Sequence, residues 1–215
     1  NELEAQGLDL TNPASIKTIT ITNSLLNTNF SDLKYFPNLT NLHIENNDIN
    51  LDDIKYNTNL LNLELINTKI SNPSSIPNSV YNLTLQGTKI DDQSLTIPYN
   101  TKYLTLTNVP FNHIYLRNPL SLKKLSIVGN CFLDINSIKE CHNLETLKLI
   151  RVPNVANSYL LPSLASLTTL ELDDYAPIWL TKDTYHELEL DNQQILNEII
   201  ELDLSNTTKL TWLGE

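Results

Sequence analysis

The sequence predicts a repeat solenoid, with a curved parallel β-sheet on its concave side and extended or 3₁₀ returns on its convex side. Three observations carry this. Eight self-similar segments have first positions at Ile16, Leu39, Leu60, Val80, Thr101, Leu122, Leu144 and Leu167, spaced 20 to 23 residues apart. In each segment the fourth and sixth positions are apolar, and usually the first as well. A unit of about 21 residues leaves too little chain for a full convex helix.

Side chains two apart on a strand share one face. Leu42 with Ile44, Leu63 with Leu65, and Leu125 with Ile127 therefore point together into a core. One strand of this length cannot bury such a face alone, whereas stacked units form a parallel sheet over a continuous core. Strands are predicted at 18–22, 41–45, 62–66, 82–86, 103–107, 124–128, 146–150 and 169–173, all parallel, in a right-handed coil.

Residues 1–15 precede the first unit. There Leu8 and Leu10 alternate as in a strand, and this segment is read as a cap over the sheet's exposed edge. The ninth position of a unit, where the chain leaves the strand, holds Asn47 and Asn130, whose amides suit the turn's backbone groups. Thr68 and Thr88 stand there in other units, while Val109, Val152 and Tyr175 depart, which points to turns held by packing. Regular repeats span residues 16–177, and 178–215 is an irregular C-terminal repeat or cap. Within it Leu188 with Leu190, and Leu202 with Leu204, fit the strand pattern but lie too close for two full units. The chain holds no methionine and ends on TWLGE without an obvious cap, so a longer natural protein is expected.

Segments such as LTNLHIENNDI, LLNLELINTKI and LKKLSIVGNCF resemble the leucine-rich repeat family over residues 16–177. The resemblance is closest to the short bacterial repeats of the internalins, whose returns are similar to DIKYNTNLLNL and SDLKYFPNLTNL. SIPNSVYNLTL also resembles a repeat of amoebal and giant-virus proteins. Likeness to this family implies that a protein ligand binds on the concave sheet. The setting expected is secreted or cell-surface, with a cytoplasmic one as the alternative.

Composition narrows the function. Fourteen basic residues stand against 25 acidic ones, a formal charge of −11. That is the wrong sign for holding phosphates, so neither nucleic acid nor anionic membrane is an expected partner. Apolar runs fall well short of the ~18 residues of a membrane helix, so no membrane insertion is expected. His43, His113, His142 and His186 show no paired metal spacing. Four glycines leave little material for a phosphate or dinucleotide loop, and no GxSxG elbow occurs. The acidic pairs Asp52–Asp53, Asp91–Asp92 and Asp173–Asp174 lack the spaced ligands of a calcium loop. No enzyme activity, metal or cofactor is expected. Cys131 and Cys141 fall on different sides of the coil and are expected to be free, buried thiols. Sequons at Asn29, Asn38, Asn82 and Asn206 match what chance supplies in a chain with 29 asparagines.

The binding site is read from positions three, five, seven and eight, taken to face the concave side. They select His43, Glu64, Ile66, Tyr103, Lys124, Val128, Lys148, Ile150, Arg151, Glu171 and Asp173. Ile66, Val128, Ile150 and Tyr103 are expected to form a hydrophobic centre. Lys124, Lys148 and Arg151 would cluster beside it, and Glu171 and Asp173 would make the next unit acidic. The chain is expected to be a monomer that docks a protein. Two other roles fit the repeats: a structural spacer in a larger surface protein, or an intracellular substrate-reading adaptor.

Overall fold

The computed structural model describes residues 8–22, 30–91, 93–152, 154–156, 164, 166–172 and 189–190. In chain order the first strands are β1 (Thr18–Thr22), β2 (Asn41–Glu45), β3 (Ile49–Asn50), β4 (Asn62–Ile66), β5 (Lys69–Ser71) and β6 (Asn82–Gln86). Next come β7 (Lys89–Ile90), β8 (Ser94–Ile97), β9 (Tyr103–Thr107), β10 (His113–Leu116), β11 (Lys124–Val128) and β12 (Phe132–Asp134). The last are β13 (Thr146–Ile150), β14 (Asn154–Ala156), β15 (Thr169–Leu172) and β16 (Glu189–Leu190).

One all-parallel sheet runs β1-β2-β4-β6-β9-β11-β13-β15-β16. Its first seven strands match the predicted ranges residue for residue; β15 ends at Leu172, and Asp173 lies outside the described residues. The returns carry short parallel ladders, β3-β5-β7, β8-β10 and β12-β14. Between them lie 3₁₀ turns such as Leu51–Ile54 and Ile135–Ile138. These turns start where a side chain supplies the missing acceptor: Asn50 accepts from the Asp52 N–H and Asp134 from the Asn136 N–H, each at 3.0 Å. The architecture is a leucine-rich-repeat-like solenoid.

Register converts the sequence period into a core. Leu63, Leu83, Leu104, Leu125, Leu147 and Leu170 pair in turn across adjacent strands, and all are buried. Thr101, the one polar first position among the eight units, is also buried, and its hydroxyl donates to the Val80 carbonyl at 3.0 Å. Asn57 sits three residues before Leu60, in the slot that Phe36, Cys141 and Leu164 fill with buried side chains. Its amide donates to the carbonyls of Leu33 (2.9 Å) and Phe36 (3.1 Å), tying two coils together. Both cysteines are free and buried, as expected.

Three details differ from the sequence reading. Leu8 and Leu10 are not in a strand. Asp9 accepts from the Thr11 N–H at 3.0 Å, which folds this stretch into a turn, and both leucines pack partly buried against the core. In the unit of Leu122, the buried ninth slot belongs to Cys131, whereas Asn130 is exposed. Gly129 and Asn130 take up one extra residue there, and the Cys131 sulfur accepts from the Val109 N–H at 3.4 Å. At the C-terminal end Glu189–Leu190 joins the sheet beside β15; Leu188, Leu202 and Leu204 lie outside the described residues.

Candidate functional site

The sheet's open face is built by a break in the alternation. Strict period two would bury the second position of each unit together with the fourth and sixth. Instead Lys17, Leu61 and Glu145 are exposed, and Thr40, Tyr81, Lys102 and Lys123 are half-buried. The hydrogen bonds explain it. One carbonyl, at position two, accepts from two consecutive N–H groups of the next coil: Lys17 from Thr40 and Asn41, Thr40 from Leu61 and Asn62, Leu61 from Tyr81 and Asn82. The same fork recurs at Tyr81, Lys102, Lys123 and Glu145. It acts as a bulge at the start of every strand, so positions two and three both face outward.

Position eight departs from the strand as well. Asn46, Asn67, Gly87, Asn108, Gly129 and Arg151 all have positive φ. Their backbone turns off the strand, and the first five donate to the position-seven carbonyl of the next coil at 2.7–2.9 Å. Arg151, taken from the sequence as a face residue, is therefore a turn residue with φ 53°, where the five preceding units place asparagine or glycine. That conformation is rare for a long side chain because Cβ crowds the following carbonyl.

At position three, Asn41, Asn62 and Asn82 lie side by side on β2, β4 and β6. Asn82 donates to the Asn62 side-chain oxygen, and Asn62 to that of Asn41 at 2.5 Å. Asn41 ends the ladder by donating to the hydroxyls of Thr40 and Thr18 at 3.0 and 3.2 Å. Beside the ladder, the His43 ring lies between two carboxylates. Its Nδ1 is 2.8 Å from Glu64 and its Nε2 3.9 Å from Glu45. Thr18, the asparagine ladder, His43, Glu64 and Thr84 line an open depression over the first four strands of the sheet.

Tyr103, at position three of its unit and first in β9, is 41 % exposed, its ring 5.3 Å from Tyr81, over which Lys102 sits at 5.1 Å. Its hydrogen bond with Tyr81, the first cause, holds its hydroxyl above the ordinary range. Lys124 is exposed on the adjacent β11, in register with Tyr103. Next to it Lys123 forms an ion pair with Glu145, which raises the lysine's pKa. Lys148 is paired to Glu171 at 2.6 Å.

The sequence-predicted site residues thus fall into separate groups. Val128 and Ile150 are partners across β11 and β13, both half-buried. Ile66 lies three strands away on β4. Tyr103 occupies position three and these apolar residues position seven, so they stand at opposite ends of the strands, about 13 Å apart along the strand direction at ~3.3 Å per residue. The expected single hydrophobic centre is not assembled. Lys124, Lys148 and Arg151 likewise spread over positions three, five and eight. Among the acidic pairs, Asp52 accepts from Asn72 (2.8 Å) and Ser75 (2.5 Å), and Asp91 pairs with Lys69 (2.9 Å). Among the described residues, no group of His, Cys, Asp and Glu is arranged to hold a metal ion.

No family model and no curated protein matches the chain. The residues that sequence reasoning missed are those at position two, Leu61, Tyr81, Lys102 and Lys123. The signal for them was present: apolar residues at first and fourth positions, three apart, cannot share one face of an unbroken strand.

Proposed function

We propose that this chain is a non-enzymatic recognition module that binds a protein ligand on the open face of its sheet. The observation that supports it best is the face itself: eight consecutive strands hold outward side chains in fixed register, with Tyr103 presented at 41 % exposure among them. Tyrosine offers large contact area at small entropic cost, and such residues dominate protein interfaces. The repeats fit the leucine-rich repeat family, of the short internalin-like kind, and a secreted or surface-attached adhesive role follows from that likeness. The spacer reading draws on a different observation. Lys148–Glu171, Lys123–Glu145 and His43–Glu64 already satisfy much of the face's charge internally. With a partner isolated by pull-down, alanine at Tyr103, Lys124 and Ile150 should each weaken binding by more than ~1 kcal/mol. Alanine at Lys139, exposed on a return, should leave binding unchanged. Loss at Lys139 with retention at the other three would overturn the assignment.

A further inference from the structure

We infer that the open face is electrostatically polarised and selects a protein segment of matching polarity, one basic side chain over β2–β4 and one acidic side chain over β9–β11. This rests on the reading of the face as a protein-binding surface. The outward residues within β1, β2, β4 and β6 include no lysine or arginine, and of the position-two residues before these strands only Lys17, ahead of the end strand β1, is basic. Their charged groups are Glu64, which lines the depression with the His43 ring, and Glu45, which lies on the other side of that ring. A lysine or arginine side chain entering there meets the Glu64 carboxylate and the acceptor oxygens of the asparagine ladder, with Glu45 beyond the His43 ring adding negative potential.

The other pole is basic. Lys102, Lys123 and Lys124 gather around Tyr103 at the N-terminal ends of β9 and β11, in a chain with only 14 basic residues. Glu145 neutralises Lys123. Lys102 and Lys124 remain to receive a carboxylate. Between the poles Thr84 and Thr105 are neutral, partner each other across β6 and β9, and are short enough to let a chain pass.

Geometry sets the spacing. From Glu64 on β4 to Lys124 on β11 is three strand intervals, about 14 Å at ~4.8 Å each, plus two residues along the strand. The diagonal is roughly 16 Å, or four to five residues of an extended chain crossing the strands. Tyr103 lies one strand short of the acidic residue's seat, where an apolar side chain of the segment would cover it.

The test uses a library of random 12-residue peptides displayed on phage and selected against the immobilised chain. Enriched peptides should carry a basic and an acidic residue four or five positions apart. Resynthesised, they should lose about tenfold or more in affinity for Glu64→Lys and for Lys124→Glu. Reversing the peptide's basic residue to glutamate should restore binding to Glu64→Lys, a rescue that a misfolded variant could not give. Peptides that are weakened by Tyr103→Ala but indifferent to both charge reversals overturn the polarity and leave the face as a binding surface. No enrichment, or peptides indifferent to all three substitutions, overturns the binding face and this inference with it.

Discussion

The side-chain amide of Asn108 lies directly against the α-carbon of Gly129 one coil on, in the space a Cβ would occupy. The same relation joins Asn67 to Gly87. In both pairs the glycine has positive φ, 80° at Gly129 and 59° at Gly87. The Asn108 oxygen also accepts from the Asn130 N–H at 3.1 Å, so the amide cannot swing away without losing a bond. At these two places an asparagine in one coil fills the space beside a glycine in the next, so the two turns interlock, whereas Asn46 is followed by Asn67 with no glycine between them.

Gly129→Ala should accordingly destabilise the fold by about 1–3 kcal/mol, from left-handed strain and the displaced amide together. The double substitution Asn108→Gly with Gly129→Ala should recover the part due to the clash. Urea denaturation of the three proteins measures this; a single variant as stable as the parent would refute the interlock.

Leucines of the inner column should be costly to truncate. Leu104→Ala and Leu125→Ala should each cost about 2–5 kcal/mol, as buried leucines do in packed cores. Ile19→Ala, in the end strand β1 that pairs only with β2, should cost less, because a middle coil supports a neighbour on each side. Chemical denaturation gives the order directly, and near-neutral midpoints at Leu104 and Leu125 would contradict it.

The asparagine ladder makes its own contribution. Asn62 donates to Asn41 and accepts from Asn82, so Asn62→Ala removes two bonds from a half-buried row. The expected loss is about 1–2 kcal/mol at roughly one per net bond. A thermal or urea midpoint unchanged by Asn62→Ala would mean that water replaces the ladder at no cost.

Alkaline pH should act through Cys141. Burial first, then the Glu140 carboxylate, pushes its thiol up to about 12 from an ordinary 9.0. Cys131 is raised too, by burial, against the lowering effect of backbone N–H groups. In the unfolded chain the Cys141 thiol ionises near pH 9 while the folded one stays protonated. Its stabilising contribution is complete below pH 9 and is lost as pH climbs toward 12. Unfolding free energies measured from pH 8 to 11 should fall less steeply for Cys141→Ala than for the parent. Equal slopes would exclude the thiol as a cause.

How much was legible depends on which direction the information runs. Along one coil the sequence determined nearly everything: the apolar fourth and sixth positions placed seven strands to the residue, because solvent exclusion acts on each side chain separately. It also identified Cys141 as core, from the slot it shares with Phe36 and Leu164. Where a hydrogen bond had to be shared between coils, only the tertiary structure decided. The forked carbonyls that turn Tyr81 and Lys102 outward are bonds to a neighbouring unit; the apolar first and fourth positions of one unit show that the alternation breaks, but not which bonds break it. The left-handed turn at Arg151 continues a row of turns set by coil-to-coil bonds, and its residue type alone pointed elsewhere. Tyr103, Val128 and Ile150 looked like one apolar centre because a sequence lists columns without their lengths. The sheet separates position three from position seven by about 13 Å, since each strand residue advances ~3.3 Å and side-chain contact reaches far less.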